Sequence, residues 1–279
     1  MTSGSVSGAL IVVGVDAEGT EVARLALGHG HDPTTLLALH GWQVRRVRDV
    51  VKDPVDEHGL KMTFVVQPSL AQPQEIPALT SQVESPLDAD LVTVDGEVAL
   101  RHQRVAAYAL VTSSRGFLMT QFSGRTGAEG LWGLPGGGLD DKEAPERAVV
   151  REVWEESGQL VEVGGPLLIH TSRWVGRAPT GRLEDFHAVR VVYRAACPEP
   201  TEPVVHDVGG TTAAAAWLPL ADLDLLALTS SWRSILRDVV HVAGGGSDVS
   251  AVVTAPDQTY GPDQHHHGTD ADDGARSQP

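Results

Sequence analysis

Apolar and polar residues alternate in two early runs, one through Trp42 and Val44, the other through Leu60, Met62, Phe64 and Val66. A compact apolar stretch, Ala9–Val13, precedes them. A period of two predicts strands, here a pair joined by the charged loop from Lys52 to Gly59. Before that pair, Asp32-Pro33 opens a short helix, with Asp32 as N-cap and Pro33 at the first helical position. Gly41 supplies a left-handed stop. Residues 1–67 therefore read as a small α/β domain, structural in role or serving binding or dimerisation. Residues 68–90 hold four prolines and little periodicity, which predicts a linker. Asp95-Gly96, between Leu91–Val94 and Glu97–Leu100, is a hairpin signal that opens a second domain over residues 91–243. Its strands are expected at Val105–Thr112, Phe117–Gln121, Leu167–Ser172, Ala188–Tyr193 and Thr211–Leu218. Helical periodicity appears over Ala144–Ser157 and Ser230–Ala243, the latter with Trp232, Ile235, Leu236 and Val239 on one face. Residues 244–279 have no periodic apolar pattern and read as a disordered acidic tail, in which His265, His266 and His267 are solvated.

Composition narrows the function classes. The 279 residues are 41% hydrophobic and 21% charged, enough to build a core. No apolar run reaches the roughly 18 residues of a membrane span, and Ala9–Val13 lacks the basic start of a signal peptide. One cysteine, Cys197, excludes an internal disulfide and any multi-cysteine metal site, so the cytoplasm is expected. The net charge of −16 speaks against nucleic acid and anionic membrane as partners. A small anionic ligand stays open, because a metal or a local basic cluster can reverse the field.

The helix at 144–157 is built against its own stability at one end. Glu152, Glu155 and Glu156 stand at i, i+3 and i+4 and share one face. Like charges at this spacing cost roughly 0.2–0.5 kcal/mol per pair. They also lie in the last turns, where the helix dipole disfavours anions. Three acids there make chemical sense around a hard divalent cation, Mg²⁺ or Mn²⁺, although clustered glutamates on a helix are often only solvated.

The longer pattern, Pro135-Gly136-Gly137-Gly138 through Gly158, resembles the Nudix box, GX5EX7REUXEEXGU. Five residues separate Gly137 from Glu143, and seven separate Glu143 from Arg151-Glu152. Val153 fills the aliphatic place, Glu155-Glu156 the paired acids and Gly158 the last glycine. Gln159 departs at the final aliphatic position, where the loss should affect packing more than chemistry. The resemblance implies a mixed sheet between helices (an α/β/α sandwich) with the box as loop–helix–loop. It implies that Glu152, Glu155 and Glu156 bind divalent metal or help activate water, with the backbone near Gly136 or Gly137 as a further metal ligand. Glu143 and Arg151 would pair and support the loop. The implied activity is hydrolysis of a phosphoanhydride in a nucleoside diphosphate-linked small molecule, a nucleotide or nucleotide sugar. The rival is a module of the same fold that senses a nucleotide without turnover. Sensors often lose one of the acids, and all three stand here. A homodimer is left open.

For substrate recognition the stretch from Arg173 to His187, expected as a loop, carries Arg173, Trp174, Arg177 and Arg182. Arginines can hold phosphates bidentately and an aromatic ring can stack on a base; a surface loop with a buried Trp174 is the plainer alternative. Glu184 and Asp185 are candidate general bases outside the box, against an ordinary solvated loop. His187 and Arg190 could also face the cleft. Nothing beyond the box names the substrate.

Overall fold

The computed structural model describes residues 8–70, 91, 94, 96–178 and 181–243. Most of the expected linker and the whole expected tail, with His265–His267, lie outside these residues. The chain begins with β1 (Leu10–Val15), β2 (Glu21–Ala26), α1 (Pro33–Leu39), β3 (Trp42–Lys52) and β4 (Leu60–Pro68). These strands form one sheet in the order β2-β1-β4-β3, with β1 and β4 parallel and the other pairs antiparallel. The Asp32 side chain caps α1 through the Thr35 N–H at 2.8 Å, and Gly41 follows the helix at φ +82°. Strand β2 is absent from the sequence reading. Its signal is the tight turn before it, where Asp16 Oδ1 accepts from Glu18 N and Thr20 N, and Gly19 adopts φ +89°.

The second sheet contains β5 (Leu100–Ser113), β6 (Gly116–Phe122), β7 (Trp132–Gly133), β8 (Gly136–Gly138), β9 (Glu162–Arg177), β10 (Leu183–Ala196) and β11 (Thr212–Leu218). Its spine runs β11-β6-β5-β10-β9, while β7 pairs with β6 and β8 with β5. Only β5 and β10 run parallel, so the sheet is mixed. Helix α2 (Pro145–Ser157) covers one face through Ala148, Val149 and Val153. Helix α3 (Ser230–Ala243) covers the other through Trp232, Ile235, Leu236 and Val239. This is the layered mixed-sheet architecture that the resemblance implies. The hairpin expected at Asp95-Gly96 is reduced to its turn: Glu97 N–H bonds Val94 O at 2.9 Å, Glu97–Ala99 are not in a strand, and residues 92, 93 and 95 lie outside the description.

The first sheet packs beside α2 on the same face of the second. Val12, Val50, Met62 and Phe64 belong to one apolar cluster with Val105, Ala107, Val189 and Tyr193. Polar contacts stitch the junction. Tyr193 donates to Val50 O at 3.4 Å and Thr171 to Asp32 Oδ2 at 3.1 Å. Glu57 and His58, in the loop between β3 and β4, meet Lys142 and Asp141 at 2.9 Å each. Among the described residues no helix is long and apolar enough to cross a membrane.

Candidate active site

Strand β8 sets the floor of the site. Gly136, Gly137 and Gly138 pair with Tyr108, Ala107 and Ala106 of β5. Gly136 has φ +141°, and a Cβ there would lie 2.3 Å from Ala107 O, so no other residue fits. Short ordered β8 replaces part of the loop expected before the helix. Helix α2 then starts at Pro145, with Ala144 as N-cap, and stops at Gly158, whose φ of +67° lets its N–H reach Trp154 O at 2.8 Å. Trp154 is half-exposed and stacks on His206.

The three acids lie at different depths. Glu156 is 6% exposed. It accepts from Gly136 N at 2.9 Å and from the Thr212 hydroxyl at 2.5 Å. Burial pushes its carboxyl up to about 8 against those two bonds, and the nearby charges of Glu152 and Asp207 add to the rise. Glu152 is partly buried and also raised, by burial first, against the pull of Arg151. Glu155 is the most open of the three.

Arg151 holds this cluster together. Its Nε and Nη2 donate to Glu143 at 3.0 and 2.7 Å, and Nη2 also reaches Gly138 O at 3.1 Å. Its Nη1 bonds Glu152 at 2.9 Å and Glu155 at 3.2 Å. Glu143 in turn accepts from Asp140 N at 2.9 Å. Burial works against the Glu143 charge, yet Arg151 and the Asp140 N–H hold its carboxyl below the usual range. Glu143 and Arg151 thus join the loop to the helix in one network.

The donors are all hard oxygens, the kind that suits Mg²⁺ or Mn²⁺. A Cβ on Gly137 would lie 2.5 Å from Glu152 Oε1, so the bare glycine leaves room for that carboxylate against the backbone. The residues therefore fit a divalent ion in kind. In this arrangement Arg151 supplies the positive charge between Glu152 and Glu155, and Gly136 and Thr212 engage both oxygens of Glu156. Among the described residues no group of three or more His, Cys, Asp or Glu is disposed to hold a metal.

The expected substrate loop is not a loop. Strands β9 and β10 continue to Arg177 and from Leu183, and beyond their ends Gly181 N–H bonds Ala178 O at 2.7 Å. Arg173 and Trp174 sit on β9, and Arg173 grips Asp185 at 2.7 and 2.6 Å. Trp174 stacks on Phe186 with ring centroids 5.3 Å apart. Arg177 binds Glu97 at 2.8 and 2.7 Å, and Arg182, just before β10, is exposed. Glu184 and Asp185 lie on β10. Asp185 is buried between Arg173 and His29, and Arg173 foremost holds its carboxyl below the usual range. Glu184 faces His102 at 3.2 Å. His187 is buried against Gln103, and Arg190 donates to Ser172. Apart from the exposed Arg182, these groups are held by one another or by Glu97, His29, His102, Gln103 and Ser172, and none of these bonds reaches the acids of α2.

Three participants escape a sequence reading. Thr212 and the Gly136 N–H reach Glu156 only through the fold. Arg104, half-buried on β5, lies against the box backbone: a Cβ on Gly138 would meet its Nη2 at 2.5 Å, and its charge acts on Glu152. Gln159 is buried and fully bonded, with Nε2 to Ser157 O and Thr201 Oγ1 and with Oε1 accepting from Thr201 N.

Residues 102–239 match the model of the NUDIX domain family. Over 39 residues the chain is 56% identical to a MutT-like protein of Streptomyces ambofaciens, a stretch covering 14% of this chain and only 25% of that relative's length. A MutT NUDIX hydrolase from Burkholderia pseudomallei is 32% identical, with 49% of this chain and 98% of that one covered and a TM-score of 0.38. The NUDIX domain of Shewanella oneidensis NrtR, solved with ADP ribose, is 22% identical, with 54% and 92% covered and a TM-score of 0.37.

Proposed function

The chain belongs to the Nudix family, and on that premise we propose that it hydrolyses a phosphoanhydride bond in a nucleoside diphosphate-linked compound, a nucleotide or nucleotide sugar, with Mg²⁺ or Mn²⁺ as cofactor. The observation that carries this reading is the full set of acids, Glu152, Glu155 and Glu156, on one end of α2 beside the glycine backbone of β8.

When bound, the cation neutralises phosphate charge and lowers the pKa of an attacking water. Glu152 and Glu155, with the backbone at Gly137, would hold it. Glu156, fixed in orientation by Gly136 and Thr212, would take a proton from the attacking water or orient it. Glu143 and Arg151 keep the loop and the acids in register. Hydrolysis of a panel of nucleoside diphosphate derivatives, wild type beside Glu156→Gln, tests this. Mg²⁺-dependent turnover that collapses in the variant is expected. Thermal shifts with nucleotides but no turnover in Mg²⁺ or Mn²⁺ would replace the reading with a sensing module.

A further inference from the structure

Resting on the hydrolase reading above, we propose that Glu57 and His58 of the N-terminal unit are positioning residues for the reaction, holding the box loop at Asp141 and Lys142 in the conformation that Glu143 and Arg151 require. The inference starts from the backbone of Lys142. Among the described residues it is the one non-glycine residue with a positive φ, +60°. A side chain in that left-handed region crowds the following carbonyl, which disfavours the conformation about 5–30-fold in population. A glycine would escape the cost. Lys142 bears it, and its ammonium meets Glu57 Oε2 at 2.9 Å. Beside it, His58 Nδ1 meets Asp141 Oδ1 at 2.9 Å. Both partners come from the loop between β3 and β4, outside the residues that match the family model.

What the turn carries makes these contacts matter. Residues 140–143 close on themselves: Glu143 N–H bonds Asp140 O at 3.1 Å, and Asp140 N–H bonds Glu143 Oε2 at 2.9 Å. The Glu143 carboxylate takes Nε and Nη2 of Arg151, and Arg151 in turn reaches Glu152 and Glu155. A flip of the Lys142 backbone would therefore carry Glu143 away from the arginine that holds two of the acids. The clamp itself is braced. Asp53 Oδ1 accepts from Val55 N and Asp56 N, and Asp56 accepts from Ala9 N and His58 N. Glu57 and His58 thus project from a loop tied to the start of β1. The four clamp side chains are 36% to 74% exposed, and pairs so open are worth at most about fivefold in an equilibrium. That is small beside a core contact. It is of the same order as the backbone cost it opposes, so it can decide the state of the loop.

The plain alternative is that these pairs only stitch the two units together at the surface. Three readouts on the full chain separate the two: amide exchange at Asp140 and Glu143 in metal-free protein, melting temperature, and kcat and KM on the panel compound turned over fastest. Glu57→Gln is expected to raise exchange at both amides about 3–5-fold and to lower kcat by a similar factor. Its KM and melting temperature should stay near wild type. Adding His58→Asn should bring the loss to about tenfold. Lys142→Ala keeps the backbone cost and loses the pair, so it should match Glu57→Gln. Lys142→Gly loses both and should stay near wild type, as should Lys142→Arg, which keeps both. Exchange and kcat unchanged in Glu57→Gln overturn the proposal, and a lower melting temperature alone leaves only a surface stitch. Lys142→Gly falling as far as Lys142→Ala overturns it as well. A wild type that hydrolyses no panel compound sinks the hydrolase reading, and the role in the reaction with it, while exchange that still follows this order keeps the clamp on the loop standing.

Discussion

Replacing Glu156 with Gln should make the protein more stable and much less active. Glu156 is buried, and burial raises its carboxyl from the ordinary value near 4.5 to about 8. At pH 7.5 the unfolded chain carries it ionised, while the folded chain holds it mainly as the neutral acid. With 1.36 kcal/mol per pKa unit, that mismatch costs on the order of 3–4 kcal/mol of stability. A glutamine has no such cost. Its amide can also copy the neutral acid, taking the Gly136 N–H on its oxygen and donating to the Thr212 hydroxyl, the two groups now on Glu156. For a domain of this size the gain corresponds to a rise of about 5–10 °C in melting temperature. The sign follows from the raised value: the wild-type contribution is intact below about 4.5 and is lost as pH rises through about 8. Thermal melts in EDTA from pH 4.5 to 8.5 should therefore show the two proteins converging at the acid end and diverging toward the alkaline end. Turnover by the variant should fall at least about 100-fold. A lower melting temperature for the variant at pH 7.5, or a gain that does not shrink on acidification, would refute the reasoning.

Three further outcomes follow from other contacts. Gly137→Ala places a methyl 2.5 Å from Glu152 Oε1, so the flexible carboxylate must move; kcat should drop about 10–100-fold while the melting temperature barely changes, and unchanged kcat would count against the cradle. Burial, with His29 next, pushes the His187 imidazole from 6.5 down to about 4, so its neutral form favours folding. That contribution is present above pH 6.5 and is lost as pH falls through about 4; denaturant titrations of His187→Gln should lack on the order of 2–3 kcal/mol of the wild type's acid destabilisation. Gln159→Leu restores an aliphatic residue but removes the partner of Thr201 N and Ser157 O, and urea unfolding should show a loss of about 1 kcal/mol rather than a gain.

The parts of this fold that local chemistry dictates were legible. Pro145 and Gly158 bracket α2, Asp32 caps α1, and the apolar face of Trp232, Ile235, Leu236 and Val239 marks α3. The shared face of the box acids could also be read, because their spacing alone puts them on adjacent turns, while the Glu143–Arg151 pair was implied only by the family resemblance. What the spacing could not reveal is what surrounds each acid. Glu156 and Glu155 are neighbours in sequence, yet one is buried under Thr212 and the other is the most open of the three. That difference is made by β8 and β11, strands that lie before and after the helix in the chain.

The misread segment, Arg173–His187, shows the opposite limit. A strand with one buried face is recognised by apolar residues at every second position. On β10 the inward positions after Leu183 are Asp185 and His187, so the pattern breaks and the stretch reads as a solvated loop. Polar groups can face inward only when something else satisfies them. Here Asp185 is met by Arg173 from the neighbouring strand and by His29 from the loop before α1 in the first sheet's unit, and His187 Nδ1 by Gln103 from β5, while His187 Nε2 has no hydrogen-bond partner among the described residues. The apparent polarity of the segment is therefore a record of contacts more than 80 positions away on one side and more than 150 on the other. The N-terminal unit and the β9–β10 hairpin complete each other's polar groups as well as sharing a core.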